Sequence, residues 1–459
     1  MSRCVLRCGF VALLLGAGAF LRADEEKSEA PPQPAGEVSF VRDVAPILAK
    51  NCLACHGAQE PKGDYQLHTF ELLSRPGGSE APAVTAAAPD ESELLRLIES
   101  TESEERMPKD ADPLPAEQVA LVRRWIEQGA KFDGPDPKAA LSSFLPKAAH
   151  PAAPEAYTVA VPITALAFHP EGRELAVGGY HEITIWNPAD GKLLRRIPNV
   201  AQRTYGLAYS PDGKLLAAAS GNPGQLGEVK LVRPESGELV HDLATMPDVA
   251  FDVAFNPAGD KLAACGADRS VRIFDVASGK QERLIEDHAD WVMAVAWSAD
   301  GTKLGTASRD KTSKIFDAAK GESLVTYPGY GDQAYGIAFS PDGKQAYTTG
   351  RAKSIHVWNL ENGEKAAEIG GFSNEVYKLR LVGDRLYAAS ADKTARRFKL
   401  DDRSQEQAFQ GHGEWIYSLA VCPATSRLAT GGFDGEVRIW NTADGAEVAK
   451  FRAAPGLQK

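Results

Sequence analysis

From about residue 157 to the end of the chain, apolar and polar positions follow one repeating pattern. The phrase Ala-Phe-Asn-Pro-Ala-Gly at 254–259 recurs in variants every 40 to 46 residues, each followed by a short strand of small residues. A third strand then ends in an aromatic residue, and a turn leads to a fourth. The copies begin at residues 167, 208, 254, 296, 338, 381 and 421. Four short strands per repeat are typical of a propeller blade, so the pattern predicts an all-β, seven-bladed propeller over 156–455.

The segment before the repeats has helical periodicity instead. Residues 40–50 and 91–101 each place their apolar side chains on one helical face. Residues 115–128 do the same, opening with Pro115 and closing before Gly129, as a helix should. The chain is therefore predicted to be multidomain, with a small all-α domain followed by the all-β propeller.

The repeats resemble the WD40 family over roughly residues 155–455. The hydrogen-bonded tetrad of that family matches in full in the last repeat, at His412, Thr430, Asp434 and Trp440. The fourth repeat matches at His288, Thr306 and Asp310, with Phe316 in place of the tryptophan. Because this fold serves many functions, the resemblance implies a binding platform rather than a particular activity.

The extreme N-terminus looks like a targeting segment. The run 10–21 is apolar but too short to span a bilayer, and Arg3 and Arg7 precede it. We expect residues 1–23 to be a cleaved signal peptide, with an uncleaved anchor as the alternative. Proline-rich composition predicts a flexible tether at 24–37 and a linker at 134–155, which leaves 38–133 as the helical domain.

Composition narrows the function classes. Hydrophobic residues make up 43% and charged residues 25%, as in ordinary globular proteins. The net charge is −11, and residues 24–135 hold 22 acidic and 11 basic side chains. No nucleic-acid partner is expected, since such partners require a basic surface. Six cysteines are too few for a disulfide scaffold of this length.

One motif carries specific chemistry. Cys52, Cys55 and His56 form C-x-x-C-H, in which two cysteines can bond one haem and the next histidine lies under its iron. The motif predicts one covalently attached haem c, with His56 as the proximal iron ligand. A thioredoxin-like pair would need a βαβ context, and a zinc site would need a second ligand pair nearby. Attachment of haem c outside the bacterial membrane agrees with the predicted leader.

The sixth iron ligand is predicted to be Met107. It is the only methionine of the helical domain and lies in a polar loop before Pro108. His68 is the alternative ligand, and an open sixth position is the third possibility. Thioether ligation would raise the reduction potential of the iron.

Several phrases together resemble the planctomycete-type cytochrome c domain over roughly residues 38–132. They are Phe40-x-x-x-Val44-x-Pro46-Ile47-Leu48, Cys52-x-x-Cys55-His56-Gly57, Met107-Pro108 and Trp125-Ile126-x-x-Gly129-Ala130. The resemblance implies a small secreted bacterial cytochrome, and such domains are often joined to propellers. Pro115 departs from the capping Ser or Asp expected there.

Two features suggest partners. Acidic residues precede Met107 at Glu99, Glu102, Glu104 and Glu105, so we expect a redox partner protein with a basic docking surface. An insertion at 221–228 in the second repeat is expected to form a loop on the top face of the propeller, where a protein partner would dock.

The leading hypothesis is an extracytoplasmic, periplasmic or secreted monohaem cytochrome that transfers single electrons, with the propeller as a docking platform. The alternative is an oxidoreductase whose propeller binds a substrate or second cofactor and passes electrons to the haem. A third hypothesis is a scaffold in which the haem senses redox state. The propeller residues contain no familiar catalytic motif and no metal-spaced histidine cluster.

Overall fold

A computed structural model describes residues 36–57, 61–79, 81–109, 111–144 and 150–457. The predicted leader and nearly all of the tether lie outside these residues. The chain divides into two compact units, one ending at Lys138 and one beginning at Ala139. This division falls inside the predicted linker. No helix in the described part of the chain is long and apolar enough to cross a membrane.

The first unit, here the helical unit, consists of short helices. Its α-helices α1 to α5 are Ala45–Asn51, Leu53–His56, Phe70–Leu73, Glu93–Glu99 and Ala116–Glu127. A π-helical turn, Phe40–Val44, leads into α1 and is capped by the Ser39 hydroxyl, which accepts from the Arg42 amide. The predicted helices at 40–50, 91–101 and 115–128 therefore all form, with shorter bounds for the last two.

The core of the helical unit is aromatic. Trp125 on α5 is 1% exposed and packs with Phe40, at a centroid distance of 5.2 Å. Phe70 and Phe132 complete the cluster, and the Trp125 indole donates to the Lys131 carbonyl at 2.9 Å. This packing fixes the N-terminal turn, α3 and the end of α5 against one another.

The second unit, here the β unit, contains repeated antiparallel sheets. Strands β1 to β7 form one sheet: Leu166–Phe168, Leu175–Gly178, Tyr180–Trp186, Leu193–Tyr209, Leu216–Asn222, Leu226–Val232 and Leu239–Met246. Five four-stranded sheets follow: β8–β11 (Ala250–Phe255, Lys261–Gly266, Val271–Asp275, Gln281–Ile285), β12–β15 (Val292–Trp297, Lys303–Ser308, Ser313–Asp317, Ser323–Tyr327), β16–β19 (Ala334–Phe339, Gln345–Gly350, Ile355–Asn359, Lys365–Ile369), β20–β23 (Val376–Val382, Arg385–Ser390, Thr394–Lys399, Gln405–Gln410) and β24–β27 (Ile416–Cys422, Arg427–Gly432, Glu436–Asn441, Glu447–Arg452). This is the small helical region and large all-β region expected from the sequence.

The long strand β4 serves two repeats. Its first part pairs with β3, from Leu193 opposite Trp186 to Arg203 opposite Tyr180, and its last part pairs with β5, from Arg203 to Tyr209. The first strand of each four-stranded sheet contacts the first strand of the next, and β24 contacts β1. The Ile163 amide also donates to the Gly432 carbonyl at 3.0 Å, joining the start of the repeats to their end.

The segment before the first repeat is packed onto the β unit. His150 Nε2 lies 2.7 Å from the buried Glu228 carboxylate. The Arg196 guanidinium donates to the backbone carbonyls of Pro154 and Glu155. Residues 150–155, within the span predicted as linker, therefore contribute to this unit.

The tetrad forms differently in the two repeats. In the fourth repeat, His288 bonds Asp310 through Nδ1 and Thr306 through Nε2, both at 2.7 Å. In the last repeat, His412 Nε2 and the Trp440 indole both bond the Thr430 hydroxyl, at 2.7 and 2.8 Å.

Asp434 does not complete the last tetrad. Its carboxylate accepts from the Glu436 amide at 3.1 Å, and Nδ1 of His412 has no hydrogen-bond partner among the described residues. Burial, reinforced by the nearby Arg438, lowers the pKa of His412 to about 4. His412 is therefore neutral in the folded protein.

This histidine predicts a pH-dependent stability. Unfolded histidine has a pKa of about 6.5, so the unfolded chain binds the extra proton as the pH falls below that value. The contribution of His412 to the free energy of unfolding is therefore fully present above about pH 6.5 and is lost as the pH falls toward 4. From this residue alone, the free energy of unfolding should fall by about 2 kcal/mol between pH 7 and pH 5. Urea denaturation of wild type and His412→Gln, followed by far-UV circular dichroism, isolates this contribution. If the free energy of unfolding changes equally with pH in the two proteins, the prediction is wrong.

Candidate haem site

Three of the four predicted haem residues, Cys52, His56 and Met107, line one cavity of the helical unit, whereas Cys55 is not among its lining residues. The cavity has a volume of about 270 Å³. Its wall includes Cys52, His56, Tyr65, Leu67, Leu94, Leu97, Ile98 and Met107. The fold thus brings together His56 and Met107, which are 51 positions apart in the sequence. Apolar side chains of α4 line the same cavity.

His56 is held in one orientation. It ends α2, and its Nδ1 lies 3.1 Å from the Tyr65 carbonyl oxygen. A carbonyl can only accept, so Nδ1 carries the proton and Nε2 keeps the lone pair that binds a metal. The Tyr65 ring also meets the imidazole edge-on at 5.5 Å, and its hydroxyl donates to the Leu73 carbonyl at 2.9 Å.

The two cysteines have different exposures. Both are free thiols; Cys52 is half-buried on the cavity wall, whereas Cys55 is exposed. Loss of water, reinforced by Cys55, raises the pKa of Cys52 to about 12. A redox-active pair needs a lowered thiol pKa, so these surroundings do not favour the thioredoxin-like alternative.

Met107 reaches the wall from a loop after α4. Its backbone amide donates to the Leu97 carbonyl at 3.0 Å, which ties the loop to the last turn of that helix. His68, the alternative ligand, is not among the residues that line the cavity. Its Nδ1 is buried without a hydrogen-bond partner in the described structure, and burial lowers its pKa.

These donors fit a haem c. The cavity wall combines an imidazole with a free Nε2 lone pair, the Met107 thioether, the Cys52 thiol and apolar side chains. With the exposed Cys55 thiol directly before His56 in the chain, this set matches the groups that hold a c-type haem. Among the described residues, no group of three or more His, Cys, Asp and Glu side chains is arranged to hold a metal ion.

Part of the wall was not anticipated from the sequence. Tyr65 supplies the carbonyl for His56, and the Gly77–Gly78 pair lies against the segment at 63–65. A Cβ at Gly77 would lie 2.8 Å from the Tyr65 Cβ, so only glycine allows this approach. In the sequence, the pair Gly77–Gly78 indicates a place where two backbone segments can approach closely. The sequence does not show that the neighbouring segment is the one containing Tyr65.

The acidic cluster before Met107 is partly neutralised. Glu99 bonds Arg123 at 2.7 Å, and Glu105 bonds Arg96 at 2.9 Å. Glu102 and Glu104 are exposed, and neither carboxylate has an ion-pair partner in the described structure. Two of the four predicted carboxylates are therefore available to a partner.

The insertion in the second repeat is not a loop over its whole length. Strands β5 and β6 continue through it, with Gly221 opposite Gly227 and Asn222 opposite Leu226. The predicted loop is thus reduced to a tight turn at 223–225, because the added residues lengthen the hairpin ladder.

Comparison with known proteins agrees with both units. The family model described as "Planctomycete cytochrome C" matches residues 52–111. The model described as "WD domain, G-beta repeat" matches residues 239–275, 279–317, 321–359 and 403–441.

A curated mouse protein, "WD repeat and HMG-box DNA-binding protein 1", is 37% identical over 62 residues, which are 14% of this chain and 6% of that protein. So short a match supports no statement about the chain as a whole. The chain therefore carries a planctomycete cytochrome c domain, followed by WD40 repeats.

Proposed function

We propose that this protein is an extracytoplasmic monohaem c-type cytochrome that transfers single electrons, with the β unit as its protein-docking platform. One observation carries the proposal: His56, with its tautomer set by Tyr65, shares a cavity wall with Cys52 and Met107. Ligands of this kind favour a six-coordinate iron, which suits outer-sphere electron transfer rather than substrate binding at the metal.

Each residue has a defined role in this proposal. Cys52 and Cys55 form the thioether bonds, His56 is the proximal ligand and Met107 the distal ligand. The Tyr65 carbonyl accepts from His56 Nδ1, which orients the ring and increases its basicity. Apolar residues of α4 keep water from the site. When bound, the haem supplies a one-electron couple.

The proposed location follows from the chemistry of attachment. Haem c is attached on the outer side of the bacterial membrane, and a cytochrome of the planctomycete type is bacterial. Together with the expected signal peptide, this supports a periplasmic or secreted protein.

We further propose that the β unit is a closed seven-bladed ring. Contacts link the first strands in series, from β4 through β24, and β24 in turn contacts β1. The last sheet holds its own fourth strand, β27, as the sequence predicts. Six equivalent first-strand residues, and Thr164 just before β1, also line one shared cavity, as expected if the strands surround a common axis.

Replacement of Met107 provides the most direct test. The mature wild-type protein, made with a haem c maturation system, is expected to contain one haem and to show a low-spin spectrum with the ferric methionine–iron charge-transfer band. Met107→Leu is expected to lose that band and become high-spin, because leucine has no donor atom. The reduced variant should then bind carbon monoxide readily, unlike the wild type.

His68→Leu serves as the matched control and should keep the wild-type spectrum. If this variant, rather than Met107→Leu, loses the low-spin spectrum, the assigned distal ligand is wrong. A high-spin wild-type protein would mean an open iron position and would favour the enzyme alternative.

The unpaired carboxylates predict a charge-dependent reaction rate. Glu102→Gln with Glu104→Gln is expected to slow reduction by cationic hexaammineruthenium by roughly two- to fivefold at low salt, because steering by local charge is lost. Reduction by an anionic complex should become faster. The measurement is stopped-flow reduction of the ferric haem at several salt concentrations.

Glu117→Gln with Glu127→Gln, on α5, removes the same charge from another part of the helical unit. If both pairs change the rate equally, net charge rather than the Glu102 and Glu104 surface controls the encounter.

A further inference from the structure

A second cavity lies in the β unit and is lined by one equivalent residue from each repeat. Its volume is about 430 Å³. The equivalent residues stand three positions before the recurring alanine in the first five repeats, and three positions before Arg380 and Ala420 in the last two, as the strand registers show. They are Thr164, Tyr205, Phe251, Met293, Tyr335, Tyr377 and Tyr417. Five of the seven are aromatic, and we call this cavity the central cup.

The aromatic rings of the cup form two groups of three contacting rings. Tyr205 contacts Phe251 at a centroid distance of 5.6 Å, and Phe251 contacts Trp291 at 5.5 Å. On the other side, Tyr377 contacts Tyr335 at 5.8 Å and Tyr417 at 4.9 Å. All are half-buried, so each still presents surface to a ligand. Such walls attract cations through the negative faces of the rings.

The cationic side chains of the cup are already paired. Lys378 bonds Asp252 at 3.1 Å, and this pair joins β20 to β8, two sheets that are not consecutive in the chain. Arg309 bonds Asp290 at 2.8 Å, and its guanidinium carbon lies 4.1 Å from the centroid of the Trp291 ring. The wall thus already holds one guanidinium against an aromatic face.

Glu375 supplies the loosely paired charge. Its nearest cation is Arg351, at 3.5 Å, beyond a strong hydrogen bond. Burial and then the Glu375 charge raise the pKa of Tyr335 to about 12. Glu375 is the one carboxylate among the residues that line the cup, so it is the group with which a cationic ligand would pair there.

An exposed aromatic surface adjoins the cup. Trp415 is 41% exposed and Phe433 48% exposed. Both contact Tyr417, at centroid distances of 6.3 and 5.9 Å. Large exposed rings beside a cavity are typical of protein interfaces, where an aromatic anchor and a pocket lie together. A free small cation would leave these two rings uncovered.

We propose that the central cup binds an arginine or lysine side chain of a partner protein, and that an apolar residue next to it lies on Trp415 and Phe433. The cation would meet the aromatic rings and the Glu375 carboxylate. This inference rests on the proposed function of the β unit as a docking platform, and it specifies the chemistry that the platform recognises.

Peptide binding to the full-length protein tests the proposal. The probes are the acetylated, amidated peptide Gly-Leu-Arg-Leu-Gly and its analogue with norleucine in place of arginine. Binding is measured by tryptophan fluorescence and by calorimetry. The arginine peptide is expected to bind at least about tenfold more tightly than the norleucine peptide, and more weakly as salt increases.

Variants place the binding at the cup. Glu375→Gln is expected to weaken the arginine peptide by about fivefold, and Tyr417→Leu by a similar factor, whereas Tyr417→Phe keeps the ring and should bind like wild type. Glu361→Gln is the matched control. Glu361 is exposed in the turn between β18 and β19, at the end of these strands that lies away from the central cup. Melting curves confirm that each variant is folded.

Several outcomes would overturn the inference. One is equal affinity for the two peptides, or no binding at about 10 mM, where a specific interaction would be detectable. Another is binding that neither Glu375→Gln nor Tyr417→Leu weakens. Free methylguanidinium binding as tightly as the peptide would show a small-cation site without a protein partner. The haem spectrum is recorded independently of peptide binding. A low-spin spectrum without peptide binding therefore refutes only this inference. Peptide binding with a high-spin spectrum refutes only the electron-transfer proposal.

Discussion

The hydrogen bond between His56 Nδ1 and the Tyr65 carbonyl determines what the helical unit can do. It assigns the proton to one ring nitrogen and leaves the other as a base that faces a cavity. Much of the surrounding structure maintains that contact. Tyr65 is held through its hydroxyl, and the Leu67 amide donates to the His56 carbonyl at 3.0 Å, so the chain returns to α2 just after the contact. Without this return, the motif would be two cysteines and a freely rotating imidazole.

Repetition has the corresponding role in the β unit. Each repeat sets its first strand in the same register, so a residue at one repeat position recurs at one place around the sheets. Small buried residues, such as Ala263 and Ala388, allow the sheets to pack closely, and in the last repeat the bonds of His412 and Trp440 to Thr430 link the segment before the first strand to the second and third strands. Repeat positions that do not pack between the sheets can differ in side chain from one protein to another. In this chain they carry aromatic rings, and the result is the central cup.

Charge is also used differently in the two units. In the helical unit, arginines neutralise Glu99 and Glu105 and leave two carboxylates exposed. In the β unit, the Lys378–Asp252 pair is nearly removed from water and joins distant strands. An exposed carboxylate affects the rate of encounter, whereas a buried pair contributes mainly to the specificity of the fold. The excess negative charge of residues 24–135 therefore bears on partners more than on stability.

Much of this architecture is determined locally and could be predicted from the sequence. Helical periodicity and the repeated phrase depend on neighbouring residues, and C-x-x-C-H places its three ligating groups within five positions. The placement of Met107, and not His68, on the cavity wall depended on how α4 packs, as did the carbonyl that orients His56. Asp434 was expected to bond His412, but backbone geometry directs it to the Glu436 amide. The convergence of seven separated residues on the central cup, and the pairing of half the acidic cluster, required contacts between residues far apart in the chain. The sequence alone determined the elements and the cofactor chemistry, because those follow from short-range patterns; only the tertiary structure decided which side chains share a site, because long-range packing sets those distances.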